Sequence, residues 1–384
     1  MNEPLCRRAF AGWIWAASAA ALLSGCGESA PPVETDAGVG PTSCAAAGGR
    51  ICEPLQSCGP GWITAPDTDR CCPEPCEAAG PTPIFVSIVS HNEDDVRYDR
   101  AYGSADQLVG MRDAILEIAD LTAAEGASYD FQTDWRFLEA LRTYETDADR
   151  AMTNGKTLLR YLAEDRGVSI EPHSHECATA SPAALAAHPE YAGGCNYADV
   201  AALIESFGVT PEPVVGGFLV RPLEQASWER FWDPLPAMVH AGYLWQPALL
   251  WGGGSPMHTD DPLLTGVWRP AGHADFERDD PSRALPVIGG GAGCVADLAQ
   301  AIEAGIAPAG KIYTVSLMVF ELEIHQNPAT LSSLRDRLVA MRPYVASGAV
   351  IYASLPEVRR RWVEAYGSEP HLYDLAAAGT CSAP

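Results

Sequence analysis

Along this chain, short apolar runs alternate with stretches in which apolar residues recur every three or four positions. Ile84-Phe85-Val86-Ser87-Ile88-Val89-Ser90 predicts a buried strand, and Leu108, Met111, Ile115 and Ile118 then mark the core face of an amphipathic helix. Tyr129-Asp130-Phe131-Gln132 predicts a second strand. A helix carrying Leu158, Leu159 and Leu162 ends near Gly167, and a third strand runs from Val168 to Glu171. The cycle repeats with a helix from Tyr197 to Phe207 and a strand at Val214-Val215. Tyr243 to Leu250, Leu285 to Ile288, Ile312 to Leu317 and Ala349 to Tyr352 supply further strands, most of them separated by helices. Repeated β-α units imply an α/β fold with a mostly parallel sheet and helices outside it. About seven such units favour closure into a (β/α) barrel, whose active groups lie at the C-terminal ends of the strands.

Upstream of residue 84 the pattern changes. Arg7 and Arg8 precede an apolar stretch from Ala9 to Leu23, which is too short for a lasting membrane span, and Leu22-Leu23-Ser24-Gly25-Cys26 closes it with small residues. Residues 1–26 resemble a bacterial lipoprotein signal, which implies cleavage before Cys26, lipid on its sulfur and export to the cell envelope. Gly27 follows where an aspartate would retain the protein inside, so the outer membrane is the expected destination. Residues 27–43 are polar and rich in Pro and Gly, and read as a flexible linker.

Cysteine usage agrees with export. Of 12 cysteines, Cys6 falls in the signal and Cys26 carries the expected lipid. Six more, Cys44, Cys52, Cys58, Cys71, Cys72 and Cys76, crowd into residues 44–76 beside Gly48-Gly49 and Gly59-Pro60-Gly61. So short a segment buries too little apolar surface to fold alone, and three disulfides are the expected stabiliser, although their pairing is not readable. A zinc module is the alternative, but the stretch lacks histidine and two clean C-x-x-C pairs. For the remaining four cysteines, Cys177 with Cys195 and Cys294 with Cys381 serve as the working pairs. The main domain is expected over residues 84–366, and residues 367–384 read as a C-terminal tail. A net charge of −25 disfavours nucleic acid as a partner.

The chemistry-bearing segment is Ile170-Glu171-Pro172-His173-Ser174-His175-Glu176. In an extended backbone alternate side chains share a face, so His173 and His175 can converge on one divalent metal, with a neighbouring acidic group as third ligand. His91, Asn92, Glu93, Asp94 and Asp95 follow the first strand, and His325 follows Met318-Val319-Phe320-Glu321-Leu322-Glu323-Ile324. Three separate segments thus deliver His and carboxylate groups toward one rim. Trp245, Trp251 and Trp268 near Gly252-Gly253-Gly254 could line a groove for pyranose faces, although tryptophans at such spacing more often fill a core. His258, Asp260 and Asp261 sit in the same loop-like region.

Over about Ile84 to Trp362 these features resemble the polysaccharide deacetylase, or NodB-homology, family. Ser90-His91-Asn92-Glu93-Asp94-Asp95 stands where that family has an aspartate pair, and His173-Ser174-His175-Glu176-Cys177 where it has two histidines. Trp268-Arg269-Pro270-Ala271-Gly272 looks like its Arg-Pro motif, Leu322-Glu323-Ile324-His325 like its late histidine motif, and Gly348 to Val358 like its closing strand and helix. The resemblance implies a distorted (β/α) barrel that removes N- or O-acyl groups from a carbohydrate with a divalent metal, zinc or else cobalt or nickel. It also implies the roles. Glu93, His173 and His175 would hold the metal, Asp94 would be the base, His325 the acid, and Arg269 would orient the base or meet the oxyanion. Cys177 falls where the second metal histidine belongs, and strand alignment puts Asn92-Glu93 where Asp-Asp is expected. A glycoside hydrolase on a related barrel and a non-catalytic lipoprotein that binds glycan or a partner are the other readings.

Overall fold

A computed structural model describes residues 43–52, 63–74, 82–92, 104–174, 196–218, 229–252, 263–291 and 294–375. Strands β1 (Arg50–Ile51), β2 (Ile63–Ala65) and β3 (Thr68–Cys72) form a small antiparallel sheet in the order β1-β3-β2. The chain continues through β4 (Ile84–His91), α1 (Ala105–Ala124), β5 (Tyr129–Thr133), α2 (Trp135–Tyr144), α3 (Asp147–Ala151), α4 (Leu158–Arg166) and β6 (Ser169–Pro172). Then come α5 (Tyr197–Ser206), β7 (Val214–Phe218), β8 (Leu235–Pro236), β9 (Leu244–Trp245), β10 (Leu249–Gly252), β11 (Leu264–Trp268), β12 (Val287–Ile288) and α6 (Val295–Glu303). The last elements are β13 (Tyr313–Phe320), α7 (Glu321–Gln326), α8 (Ala329–Ser347), β14 (Val350–Tyr352), α9 (Leu355–Tyr366) and β15 (His371–Asp374).

The first sheet belongs to the cysteine-rich segment. Cys44 and Cys71 form a disulfide, and Cys52 and Cys72 are also disulfide-bonded. Cys58 and Cys76 lie outside the described residues, as do Cys26, Cys177, Cys195 and Cys381, while Cys294 is disulfide-bonded. With its covalent closure and a sheet of its own, this segment should separate from the rest. A chain beginning near Gly80 is expected to melt cooperatively, like the full mature chain. Aggregation of the shorter chain alone in calorimetry would show that the division is wrong.

The larger body is a mixed α/β fold built on parallel strands. One sheet has the order β13-β4-β5-β6, parallel throughout, with β14 added beside the start of β4. The other runs β15-β11-β12-β10-β7, in which β7, β10 and β12 are parallel while β11 opposes β12 and β15. The sheets touch along both edges through isolated hydrogen bonds. Glu212 N donates to Ile170 O at 2.8 Å on one side, and Ser316 N to Gly290 O at 2.7 Å on the other. Continuous ladders are missing at these seams because Pro172 and Pro213 have no N–H to donate, and Gly289-Gly290-Gly291 forms no strand. The first β-α units stand where the sequence puts them, whereas among the described residues no α-helix separates β7 through β12, and the strands form two sheets where one closed ladder was expected.

Alternation along β4 shows which face is which. Ile84, Val86 and Ile88 pack with Leu108, Met111, Ile115 and Ile118 of α1, whereas Phe85 and Val89 point between the sheets toward Trp251, Val267 and Ile288. Leu355, Val358 and Trp362 of α9 join that interior cluster, so one helix fills part of the space between the sheets. Ser354 caps α9 by accepting from Glu357 N. The strand expected over Ile312 to Leu317 runs on to Phe320 before the chain turns into α7, and the segment read as a tail from 367 is corrected, since it holds β15, paired with β11. Among the described residues no helix is long and apolar enough to cross a membrane.

Candidate functional site

Strand register assembles the site. His91 ends β4, and its backbone partners are Phe320 on β13 and Gln132 on β5, while Gln132 is paired in turn with Glu171 on β6. Residues in register on neighbouring parallel strands share a face, so Phe320, His91, Gln132 and Glu171 form one row on the interior side. His173 continues β6 two residues beyond Glu171 and is tied to the same level by its N–H bond to Thr133 O at 2.9 Å. The row and both imidazoles are buried.

The two rings meet. His91 and His173 have centroids 4.4 Å apart and planes tilted by 45°, and Trp251 and Phe320 present edges to His91 at 5.4 and 6.1 Å. His173 Nδ1 lies 2.9 Å from the Gly216 carbonyl oxygen. Asn92, adjacent to His91, is fully buried, and its side-chain amide makes no hydrogen bond among the described residues.

Beneath the imidazoles lies a pair of buried acids. Gln132 Nε2 donates to Glu171 Oε2 at 2.6 Å, and Ser169 Oγ to Oε1 at 3.2 Å. Asp130, one layer down on β5, accepts from Leu355 N at the start of α9 at 2.9 Å. Asp130 and Glu171 lie close enough that the charge of Glu171 acts on the Asp130 carboxyl. Burial drives the Asp130 carboxyl far above the carboxylate range, and the Glu171 charge adds to it. Burial also pushes Glu171 up to about 7, against the opposing pull of its Gln132 and Ser169 hydrogen bonds. Both carboxyl groups are thus held toward their protonated forms by burial.

Only some of the residues expected from sequence meet here. His173 does, and His91 proves to be the last residue of β4 with its ring against His173. Glu93, Asp94, Asp95, His175, His258, Asp260 and Asp261 lie outside the described residues. Arg269 lies elsewhere. Because β11 runs antiparallel to β12, with Trp268 beside Val287 at the start of that strand, Arg269 leaves the sheet at the end opposite His91. Its Nη2 donates to Ser368 O at 2.8 Å and its guanidinium lies over Trp362 at 5.4 Å, a structural anchorage for α9. His325 is exposed in α7 and packs on Gly110 of α1, where a Cβ would come within 2.3 Å of its ring. Trp245, Trp251 and Trp268 are buried in the core.

Asp130, Gln132 and Glu171 were missed as site residues. Their signal was present as polar residues at every second position of otherwise apolar strands, Tyr129-Asp130-Phe131-Gln132-Thr133 and Ser169-Ile170-Glu171. Among the described residues, no group of three or more His, Cys, Asp or Glu side chains is arranged to hold a metal ion. A carbonyl can only accept, so His173 Nδ1 carries a proton, and in the neutral ring Nε2 then keeps the lone pair that a metal needs.

No protein-family profile and no curated protein matches the chain. Among solved structures it is similar to Puue allantoinase, at 14% identity over 73% of this chain and 91% of that one, with a TM-score of 0.43. It is similar also to a probable polysaccharide deacetylase from Pseudomonas aeruginosa PAO1, at 12% identity over 73% and 91% of the two chains, TM-score 0.42. A 4-alpha-glucanotransferase from Thermococcus litoralis matches at 10% identity over 72% of this chain and 38% of its own, TM-score 0.40. Similarities of this size say nothing about activity, which has to be argued from the side chains themselves.

Proposed function

We propose that this protein is a hydrolase that removes an acyl group from a carbohydrate, with its reaction centre at the His91–His173 end of the parallel strands. The observation that carries the reading is the imidazole pair set directly above the buried Gln132–Glu171 row. Imidazoles and carboxyl groups at strand C-termini are the groups that acyl transfer to water requires. Asn92 can donate from its amide to the acyl carbonyl oxygen, and Trp251 and Phe320 wall the imidazoles from water. A divalent metal, zinc or else cobalt or nickel, would be held by His173 through Nε2 together with His175 and Glu93, and would polarise the carbonyl and activate water. Asp94 remains the proposed base. The sequence features at Cys26 place the reaction, in this reading, on the outer membrane of a bacterial cell envelope.

A glycosidase would act through two carboxyl groups roughly 5–9.5 Å apart with the sugar between them and would need no metal, so activity that survives metal removal would favour it. The metal is tested by elemental analysis of the soluble protein lacking residues 1–26. About one equivalent per chain is expected from the imidazole-carboxylate ligand set, and replacing His173 and His175 together by alanine should remove it while the circular dichroism stays unchanged. Stoichiometric metal in the double variant would exclude this ligand set, and protein that takes up no metal on reconstitution would favour a glycan-binding lipoprotein.

A further inference from the structure

The Gly216 carbonyl oxygen receives two side chains in the buried interior. His173 Nδ1 lies 2.9 Å from it, and the Tyr197 hydroxyl donates to it at 3.0 Å. A carbonyl offers two lone pairs and no proton, so both partners must donate and each can have a lone pair of its own. Tyr197 is held firmly for this task. It is the first residue of α5 and buried, its ring is stacked on Trp245 with centroids 6.0 Å apart and planes within 9°, and the edge of Phe231 meets it at 5.4 Å. The other side of Gly216 is equally constrained. A Cβ there would lie 2.2 Å from the Gln132 side chain, so β7 packs its bare backbone on the amide that donates to Glu171.

We infer that Tyr197 is a positioning residue for His173, acting through the Gly216 carbonyl. The inference rests on the reading of His173 as a functional imidazole. With its peptide plane pinned by the Tyr197 hydroxyl, the Gly216 oxygen stays aimed at Nδ1 and keeps that nitrogen protonated, which directs the Nε2 lone pair to the reaction centre. Without the hydroxyl the carbonyl keeps a single side-chain donor, and rotation of the peptide lets the ring turn and the other tautomer form. Groups that orient a working histidine from behind commonly change affinity or activity by about 10–100-fold when removed.

The test is Tyr197→Phe in the full mature chain, which keeps the ring and its contacts with Trp245 and Phe231 while removing one hydroxyl. Nitrogen-15 spectra of the histidine rings should show His173 purely as the Nδ1–H form in wild type and as a mixture in the variant. The kcat for acyl release should fall about tenfold with KM unchanged. A variant in which His173 keeps the pure Nδ1–H pattern overturns the inference, whatever it does to acylated sugars. If wild-type protein releases no acyl group at all, the hydrolase reading fails, and the ring spectra still decide the role of Tyr197.

Discussion

Replacement of His173 by alanine is expected to lower kcat/KM for acyl release by about 10³-fold, in the middle of the range for a lost acid-base or ligand imidazole. The fold should survive. The ring is buried at the end of β6, where Nδ1 meets the Gly216 carbonyl, whose oxygen would still be satisfied by Tyr197. The expected loss of stability is about 1–2 kcal/mol, which denaturant titration can measure. Arg269→Ala should show the reverse pattern. It removes the contact with Trp362 and the bond to Ser368 O at the far end of the sheet, so stability should fall while kcat/KM stays within about twofold. Equal losses of kcat/KM in the two variants would contradict the placement of the reaction centre.

The second large effect concerns pH. Burial pushes Glu171 up to about 7 in the folded protein against a reference of 4.5, and Asp130 is raised as well. A group whose pKa is raised by folding holds a proton that the unfolded chain gives up sooner. Its contribution to stability is fully present below about pH 4 and is lost as pH rises toward 7 and beyond. The Glu171 shift alone corresponds to about 3 kcal/mol across that window. Wild type should therefore melt at a higher temperature at pH 5 than at pH 8, and Glu171→Gln, which cannot ionise, should lose the Glu171 share of that difference while Asp130 keeps its own. A wild-type stability that rises from pH 5 to pH 8 while Glu171→Gln changes in parallel would show that the pair does not hold its proton.

Much of the scaffold was readable because its elements obey local rules. The strand at Ile84, the helix face of Leu108 to Ile118 and the strand leading to His173 each carry a period set by backbone geometry, and they stand where that period puts them. Apolar residues at 318, 320, 322 and 324 alternate as a strand's would, yet the chain turns helical at Glu321, so the end of this strand was not legible from the pattern. Arg269 was misplaced for a different reason. Its motif says nothing about strand direction, and the antiparallel setting of β11 carries it to the wrong end. The buried acids were hidden by topology. Asp130 and Gln132 alternate with Tyr129 and Phe131, and only the helix contacts of those two aromatics reveal that the polar side faces inward. The division into two sheets depends on what happens at Pro172, Pro213 and Gly289, where missing donors and missing side chains act on partners distant in sequence.

If the imidazoles of His91 and His173 sit at a centre for acyl hydrolysis, the soluble mature protein should release acetate from N-acetylated or O-acetylated oligosaccharides, measured with added zinc and again after chelation. Acetate is expected from at least one of the two substrate types with metal, with a loss of at least about tenfold on chelation and none above background from His173→Ala. Acetate released at the same rate by wild type and His173→Ala would contradict this placement, as would reducing sugar ends appearing in place of acetate.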